Sequence, residues 1–242
     1  MKVVVIIPAA GLGTRMASVP SGKAKKGAPS KQFTELGGTP ILIHTLRKFA
    51  SHPRVAEIFV ALRKDEIAGF RERLQSEAKD VLAKEIELVE GGEHRQHSVA
   101  NALKAVLAAP DDVILVHDAV RPFVTAEIID EVVEAAKKQG AAIAGMPAVD
   151  TVKQVERTAD GALITATIPR ERVVMAQTPQ GFRYAVIKKA FDEAAADGFL
   201  GTDEASLVER AGGAVAVVMG SPRNLKITTP SDMALAEFYL RG

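Results

Sequence analysis

The stretch Pro8-Ala9-Ala10-Gly11-Leu12-Gly13-Thr14-Arg15-Met16 follows an apolar run at the start of the chain. Small residues let the backbone approach a ligand, and successive N–H groups in such a turn cradle phosphate oxygens. A dinucleotide fingerprint needs a third glycine at position 16, where Met16 stands. A Walker loop needs a Gly-Lys-Ser/Thr end, which is also missing. From Arg15 to Lys31 the chain carries Arg15, Lys23, Lys25, Lys26 and Lys31 and no acidic residue. Lys23, Lys25 and Lys26 read most simply as a solvated loop. Arg15 and Lys31 are the polyphosphate candidates.

Further candidates lie downstream. Asp118 ends a fully apolar run, a poor place for a structural carboxylate but a good one for binding hydroxyls or a metal. Arg121, before Pro122, can pair with Asp118 or contact a substrate. Gly91-Gly92 followed by Ser98 reads as a loop entering a helix, a place for ribose and base contacts. His94 and His97 have i, i+3 spacing but lack the other ligands of a zinc site, so they read as surface histidines. By spacing alone, Arg170 and Lys226 are ordinary surface charges.

The elements that must position these residues alternate. Strand-like runs are Lys2–Ile7, Glu57–Arg63, Glu85–Glu90, Asp112–His117 and Ala141–Met146. Helix-period segments are Pro40–Ala50, Lys64–Ala83, Ser98–Ala108 and Thr125–Gln139. Such alternation predicts an α/β fold, a Rossmann-like and mostly parallel sheet with helices on both faces. Ligands of such sheets sit beyond the carboxyl ends of the strands. Pro8, Gly91, Asp118 and Pro147 stand there. After Pro147 the pattern becomes two alternating strands, Thr151–Arg157 and Leu163–Ile168, around an Asp160-Gly161 turn. The spacing predicts one domain over 1–242 with a protruding antiparallel β-hairpin arm at 148–175. Helices are expected at Tyr184–Ala196, Asp203–Ala211 and Ser231–Leu240, with a strand at Ala214–Met219.

Composition narrows the function classes. The 242 residues are 47% hydrophobic and 25% charged, within the globular range. Lys and Arg total 31 against 30 Asp and Glu, a balance that argues against nucleic-acid or membrane-surface binding. With no cysteine, disulfides, thiolate metal sites and thiol nucleophiles are excluded. No apolar run reaches the ~20 residues of a membrane span, and the first strand lacks the flanks of a signal peptide. The expectation is a cytoplasmic protein.

The chain resembles the 2-C-methyl-D-erythritol 4-phosphate cytidylyltransferases of the non-mevalonate isoprenoid pathway, within the nucleotidyltransferase superfamily. The resemblance rests on PAAGLGTRM at Pro8–Met16, KQF at Lys31–Phe33, GGEHRQHSV at Gly91–Val99, HDAVRPF at His117–Phe123 and DTVK at Asp150–Lys153. It continues through PRERV at Pro169–Val173, QTPQGF at Gln177–Phe182, TDEASLVE at Thr202–Glu209 and NLKIT at Asn224–Thr228. It implies cytidylyl transfer from CTP to methylerythritol phosphate with release of pyrophosphate. The implied catalytic residues are Arg15, Lys31, Arg170 and Lys226. Ala9, Ala10, Gly11, Gly13, Gly91, Gly92, Ser98, Asp118 and Ala119 are implied to bind the nucleotide. Asp118, Arg121, Thr151, Arg170, Thr202 and Lys226 are implied to bind the polyol substrate. Mg²⁺ or another divalent cation is expected on the triphosphate, with Asp118 the nearest carboxylate, and the arm is expected to build a homodimer. The loop before the family's lysine is longer here. Lys31 is assigned because Gln32-Phe33 follow it, with Lys26 as the alternative.

Other readings compete. A cytidylyltransferase for ribitol 5-phosphate shares most of these blocks. A nicotinamide-dependent oxidoreductase would share the fold, although Met16 counts against it. A non-catalytic nucleotide sensor would leave Arg15, Lys31 and Lys226 without a purpose.

Overall fold

A computed structural model describes residues 1–11 and 30–241. The chain opens with β1 (Val3–Pro8), then a two-strand ribbon, β2 (Glu35–Leu36) and β3 (Thr39–Pro40), which leads into α1 (Ile41–Ala50). Alternation follows through β4 (Val55–Leu62), α2 (Lys64–Glu77), β5 (Glu85–Glu90), α3 (Arg95–Ala105), β6 (Val113–Val116), α4 (Ala126–Gln139) and β7 (Ala141–Pro147). The arm is β8 (Val152–Thr158) paired with β9 (Gly161–Ile168). After it come β10 (Val174–Arg183), α5 (Tyr184–Ala196), α6 (Glu204–Arg210), β11 (Ala216–Met219) and α7 (Pro230–Arg241).

Seven strands form one sheet in the order β11-β7-β10-β6-β1-β4-β5. All its pairings are parallel except those of β10, which runs antiparallel to both β6 and β7. Strand parity divides the core. Val3, Val5 and Ile7 pack against α1, α2 and α4, whereas Val4 and Ile6 pack against α3, α5 and α6. A strand apolar on both sides is what a doubly covered sheet requires. The chain moves outward from β1 to β4 and β5, then returns to lay β6 on the other side of β1. That reversal opens a crevice at the carboxyl ends of β1 and β6.

The structure departs from the periodicity in three places. The segment predicted as a helix over 64–83 is α2 followed by a separate 3₁₀ turn, Lys79–Ala83. Ala78 breaks the helix at φ −143°, and the turn drops the fully buried Val81 into the core. The helix expected at Ser98–Ala108 begins earlier, at Arg95. Its first turn is polar because it faces the crevice, so apolar spacing misses it. The strand β10 was not expected at all. Pro179 lies within it, and pairing with β7 is irregular between Ala176 and Gln180, which is how a strand tolerates proline.

The arm stands away from the sheet. Leu163 and Ile164 are 65% and 64% exposed, and Val155 is exposed as well. Gly161, at φ +145°, starts the returning strand in a conformation open to glycine. Among the described residues no helix is long and apolar enough to cross a membrane.

Candidate active site

The crevice holds a cavity of about 210 Å³. Its walls are Pro8 at the end of β1 and Ala9–Gly11 beyond it, Lys31 and Gln32, Gly92–His94 with Arg95 and Ser98 of α3, Asp118–Val120 after β6, and Lys226 with Thr228. Of the residues proposed from sequence, it brings together Ala9, Ala10, Gly11, Lys31, Gly92, Ser98, Asp118, Ala119 and Lys226. Gly13, Arg15 and Lys26 lie outside the described residues.

Two loops meet at the nucleotide end. The Ala9 N–H donates to Ala61 O at 2.7 Å, continuing the β1–β4 pairing past the strand, and Gln32 Nε2 donates to Ala9 O. Gly91 N–H donates to Leu62 O at 2.7 Å. A Cβ on Gly91 would lie 2.4 Å from Ala10 Cβ and 3.1 Å from Ser98 Oγ. Only glycine permits that approach. Ser98 Oγ then closes the second loop, accepting from Gly92 N–H at 3.1 Å.

Asp118 is the electrostatic hub. Its Oδ1 faces Arg95 Nε at 3.3 Å, and its Oδ2 faces Lys226 Nζ at 2.9 Å and Arg121 Nε at 3.2 Å. Burial alone would raise this carboxyl, but the cations Arg95, Lys226 and Arg121 hold it well below the usual carboxylate range. Arg121 is buried behind it and donates through Nη1 to Asn224 O at 2.6 Å. Arg121 therefore pairs with Asp118, one of the two roles its spacing allowed. Lys226 is positioned by its neighbour Ile227, which is fully buried and donates its N–H to Val120 O at 2.9 Å. The next residue, Thr228, is fixed by Asp232 at the start of α7, whose Oδ2 accepts from both its N–H and its hydroxyl.

A neutral histidine supports the hub from below. His117 Nε2 lies 3.0 Å from Arg121 O, so it carries the proton and donates. Its Nδ1 accepts from Thr178 Oγ1 at 3.1 Å, and that hydroxyl accepts from Asp118 N–H at 3.0 Å. Burial pushes the imidazole down to about 4, against the opposing pull of its bond to Arg121 and the charge of Asp118. Asn224 Nδ2 donates to Thr178 O at 2.8 Å, tying β10 to the Lys226 loop.

Arg95 connects this cavity to a second one, of about 190 Å³, lined by His94–Gln96 and Leu200–Glu204. Thr202 belongs to that second cavity. Arg170 and Thr151 line neither. Both are exposed at the base of the arm, where Arg170 Nη1 donates to Val149 O at 2.8 Å. His94 and His97 are exposed, as their spacing suggested.

Sequence reasoning did not single out Arg95, Glu204, Thr178 or Asn224. All four lie inside the blocks that carried the resemblance. Nothing in linear spacing says that Arg95 and Glu204 meet, although Glu204 Oε1 and Oε2 accept from Arg95 Nη1 at 2.6 and 2.7 Å.

Known proteins resemble this chain over its whole length. The family described as 2-C-methyl-D-erythritol 4-phosphate cytidylyltransferase matches residues 3–242. A relative of that name from Acidobacterium capsulatum is 57% identical over all of this chain and 98% of its own. One from Solibacter usitatus is 52% identical over all of this chain and 96% of its own. The crystal structure of 2-C-methyl-D-erythritol 4-phosphate cytidylyltransferase from Thermus thermophilus superposes with a TM-score of 0.75 at 34% identity, covering both chains fully. That from Francisella tularensis gives 0.79 at 34% identity, over 98% of this chain and 99% of its own.

Proposed function

The chain belongs to the 2-C-methyl-D-erythritol 4-phosphate cytidylyltransferase family, and we propose that it performs that family's reaction in the cavity between β1 and β6. It is a nucleotidyltransferase that joins CTP and methylerythritol phosphate. A phosphate oxygen of the polyol attacks the α-phosphorus. The new P–O bond forms as the bond to the β-phosphate breaks, and pyrophosphate leaves with its electron pair. No protein nucleophile is required, and both reactants are anions. Bringing them together is the main electrostatic cost, so positioning and charge stabilisation do the catalytic part.

The observation that carries this reading is the placement of Lys31 and Lys226 in one cavity with the Ala9–Gly11 turn. In our reading the turn and the Gly91–Ser98 loop frame the cytosine and ribose. Lys31, with Arg15, stabilises charge growing on the α-phosphate and pyrophosphate. Lys226 receives the polyol phosphate, and Asp118 holds the ammonium in place. Thr202, in the adjoining cavity, offers a hydroxyl to the polyol.

Magnesium belongs to the same proposal. Asp118 and Glu93 are the carboxylates that line the cavity among the described residues, and Asp118 is the buried one. An ionised carboxylate has about four lone-pair sites, of which three face cations at Asp118. That donor set fits a metal carried mainly by triphosphate oxygens with one protein carboxylate. When bound, such an ion would neutralise phosphate charge.

The arm and the dimer complete the reading. Exposed apolar side chains gather around the arm's base and the edge strand, with Val149 73%, Met175 55% and Met219 60% exposed. A symmetric homodimer would cover them, and crossing arms would bring Thr151 and Arg170 to the partner's cavity. The proposal extends to a cytoplasmic location, consistent with phosphorylated substrates that do not cross a bilayer unaided. A substrate panel tests polyol identity: with CTP fixed, pyrophosphate release should be fastest with methylerythritol phosphate. Faster release with ribitol 5-phosphate would reassign the substrate.

A further inference from the structure

Glu204 is the first residue of α6, is 1% exposed, and is used by no step above. Both of its carboxylate oxygens accept from a single nitrogen of Arg95, at 2.6 and 2.7 Å. Arg95 opens α3 and turns its Nε towards Asp118 Oδ1 at 3.3 Å. One guanidinium thus stands between carboxylates from two different elements, on the wall shared by both cavities.

Stability alone does not call for this pair, because well-packed apolar residues commonly replace a buried ion pair without loss. What the pair does supply is orientation of a rigid, planar fork. With Nη1 tied to Glu204, Arg95 reaches Asp118 through Nε. Oδ2 is left to Lys226 at 2.9 Å and Arg121 at 3.2 Å. Released from Glu204, Arg95 would be free to grip both oxygens of Asp118 and compete with Lys226.

We propose that Glu204 is a positioning residue for cytidylyl transfer, holding Arg95 on Oδ1 of Asp118 so that Oδ2 stays with Arg121 and the ammonium of Lys226. The inference rests on the reading that Lys226 receives the polyol phosphate. It has a signature that simple destabilisation lacks. Removing the negative charge of Glu204 leaves the cavity more positive, so nucleotide binding does not weaken. Turnover falls because Lys226 is misplaced, and sub-ångström to ångström errors of this kind cost up to about 100-fold.

The test uses the full-length enzyme and Glu204→Gln, with and without Arg95→Met. Steady-state pyrophosphate release gives kcat and the KM for methylerythritol phosphate, calorimetry gives the Kd for CTP, and thermal unfolding monitors the fold. In Glu204→Gln, kcat should fall about tenfold or more and KM should rise, with the Kd for CTP unchanged or lower. Adding Glu204→Gln to Arg95→Met should change kcat by less than about twofold, as expected when one residue acts through the other. Unchanged kcat in the single variant overturns the proposal, and so does an undiminished effect in the Arg95→Met background. If Glu204→Gln does not fold, the comparison passes to Arg95→Met/Glu204→Leu, which removes both buried charges. Activity equal to that of Arg95→Met supports the proposal, and a further drop overturns it. A silent wild-type enzyme would overturn the functional reading itself, a result separate from any ratio between variants.

Discussion

Lys226 Nζ lies 2.9 Å from Asp118 Oδ2, joining the loop before α7 to the end of β6 across the mouth of the crevice. The two side chains differ in burial. Asp118 is buried, whereas Lys226 keeps 39% of its side chain exposed and lines the cavity. A fixed carboxylate therefore holds a cation whose side chain stays open to the cavity.

Replacing that ammonium should reveal which substrate it serves. Lys226→Met should lower kcat/KM for the polyol phosphate about 100- to 1,000-fold, the scale of losing one charge partner of the reacting groups. Its effect on CTP binding should be smaller. Asp118 keeps Arg95 and Arg121, so the fold should survive. Separate titrations of the two substrates check this.

Lys31 and Lys26 offer a second comparison. Lys31 lines the cavity beside Gln32. Lys31→Ala should raise the barrier by about 2–4 kcal/mol, and Lys26→Ala should be much milder. The reverse order in steady-state kinetics would move the catalytic role to Lys26.

His117 should make stability depend on pH. Its imidazole titrates near 6.5 when unfolded and is pushed down to about 4 by burial. Between those values the unfolded chain binds the extra proton, so stability rises with pH across the window and falls on acidification. The loss from pH 6.5 to 4 is roughly 3 kcal/mol from this group. Urea unfolding at several pH values should show that slope, and His117→Gln should flatten it.

Much of this was legible in the chain, for reasons that can be named. The run Val3–Ile7 is apolar on both sides, which only a doubly covered strand requires. The Asp160-Gly161 turn marked the arm. Asp118 stood out because a carboxylate at the end of an apolar strand needs a ligand or cations, and it has the cations. What stayed hidden depends on distant pairing. Arg95 and Glu204 meet across the sheet's end, and neither is unusual among its neighbours. Pro179 disguised β10, and the polar first turn of α3 disguised its start. Sites of this kind violate local pattern because they face the ligand rather than the core.

The arm makes a prediction of its own. Arg15→Ala and Arg170→Ala are each expected to be inactive alone and should be unfolded and refolded together. If the arm serves the partner's cavity, one site of each mixed dimer is intact, and random pairing restores roughly a quarter of wild-type activity. If it serves its own cavity, every site keeps one lesion. Mixed dimers confirmed by mass but without activity would rule out the shared site.

In this assignment the cavity between the Ala9–Gly11 turn and Asp118 takes CTP rather than a purine nucleotide. The most direct measurement is pyrophosphate release with methylerythritol phosphate and each of CTP, UTP, ATP and GTP in turn. The account predicts that CTP exceeds both purine nucleotides by a wide margin, because loops as close as Ala10 and Gly91 frame a small base. Equal turnover with ATP or GTP would contradict it.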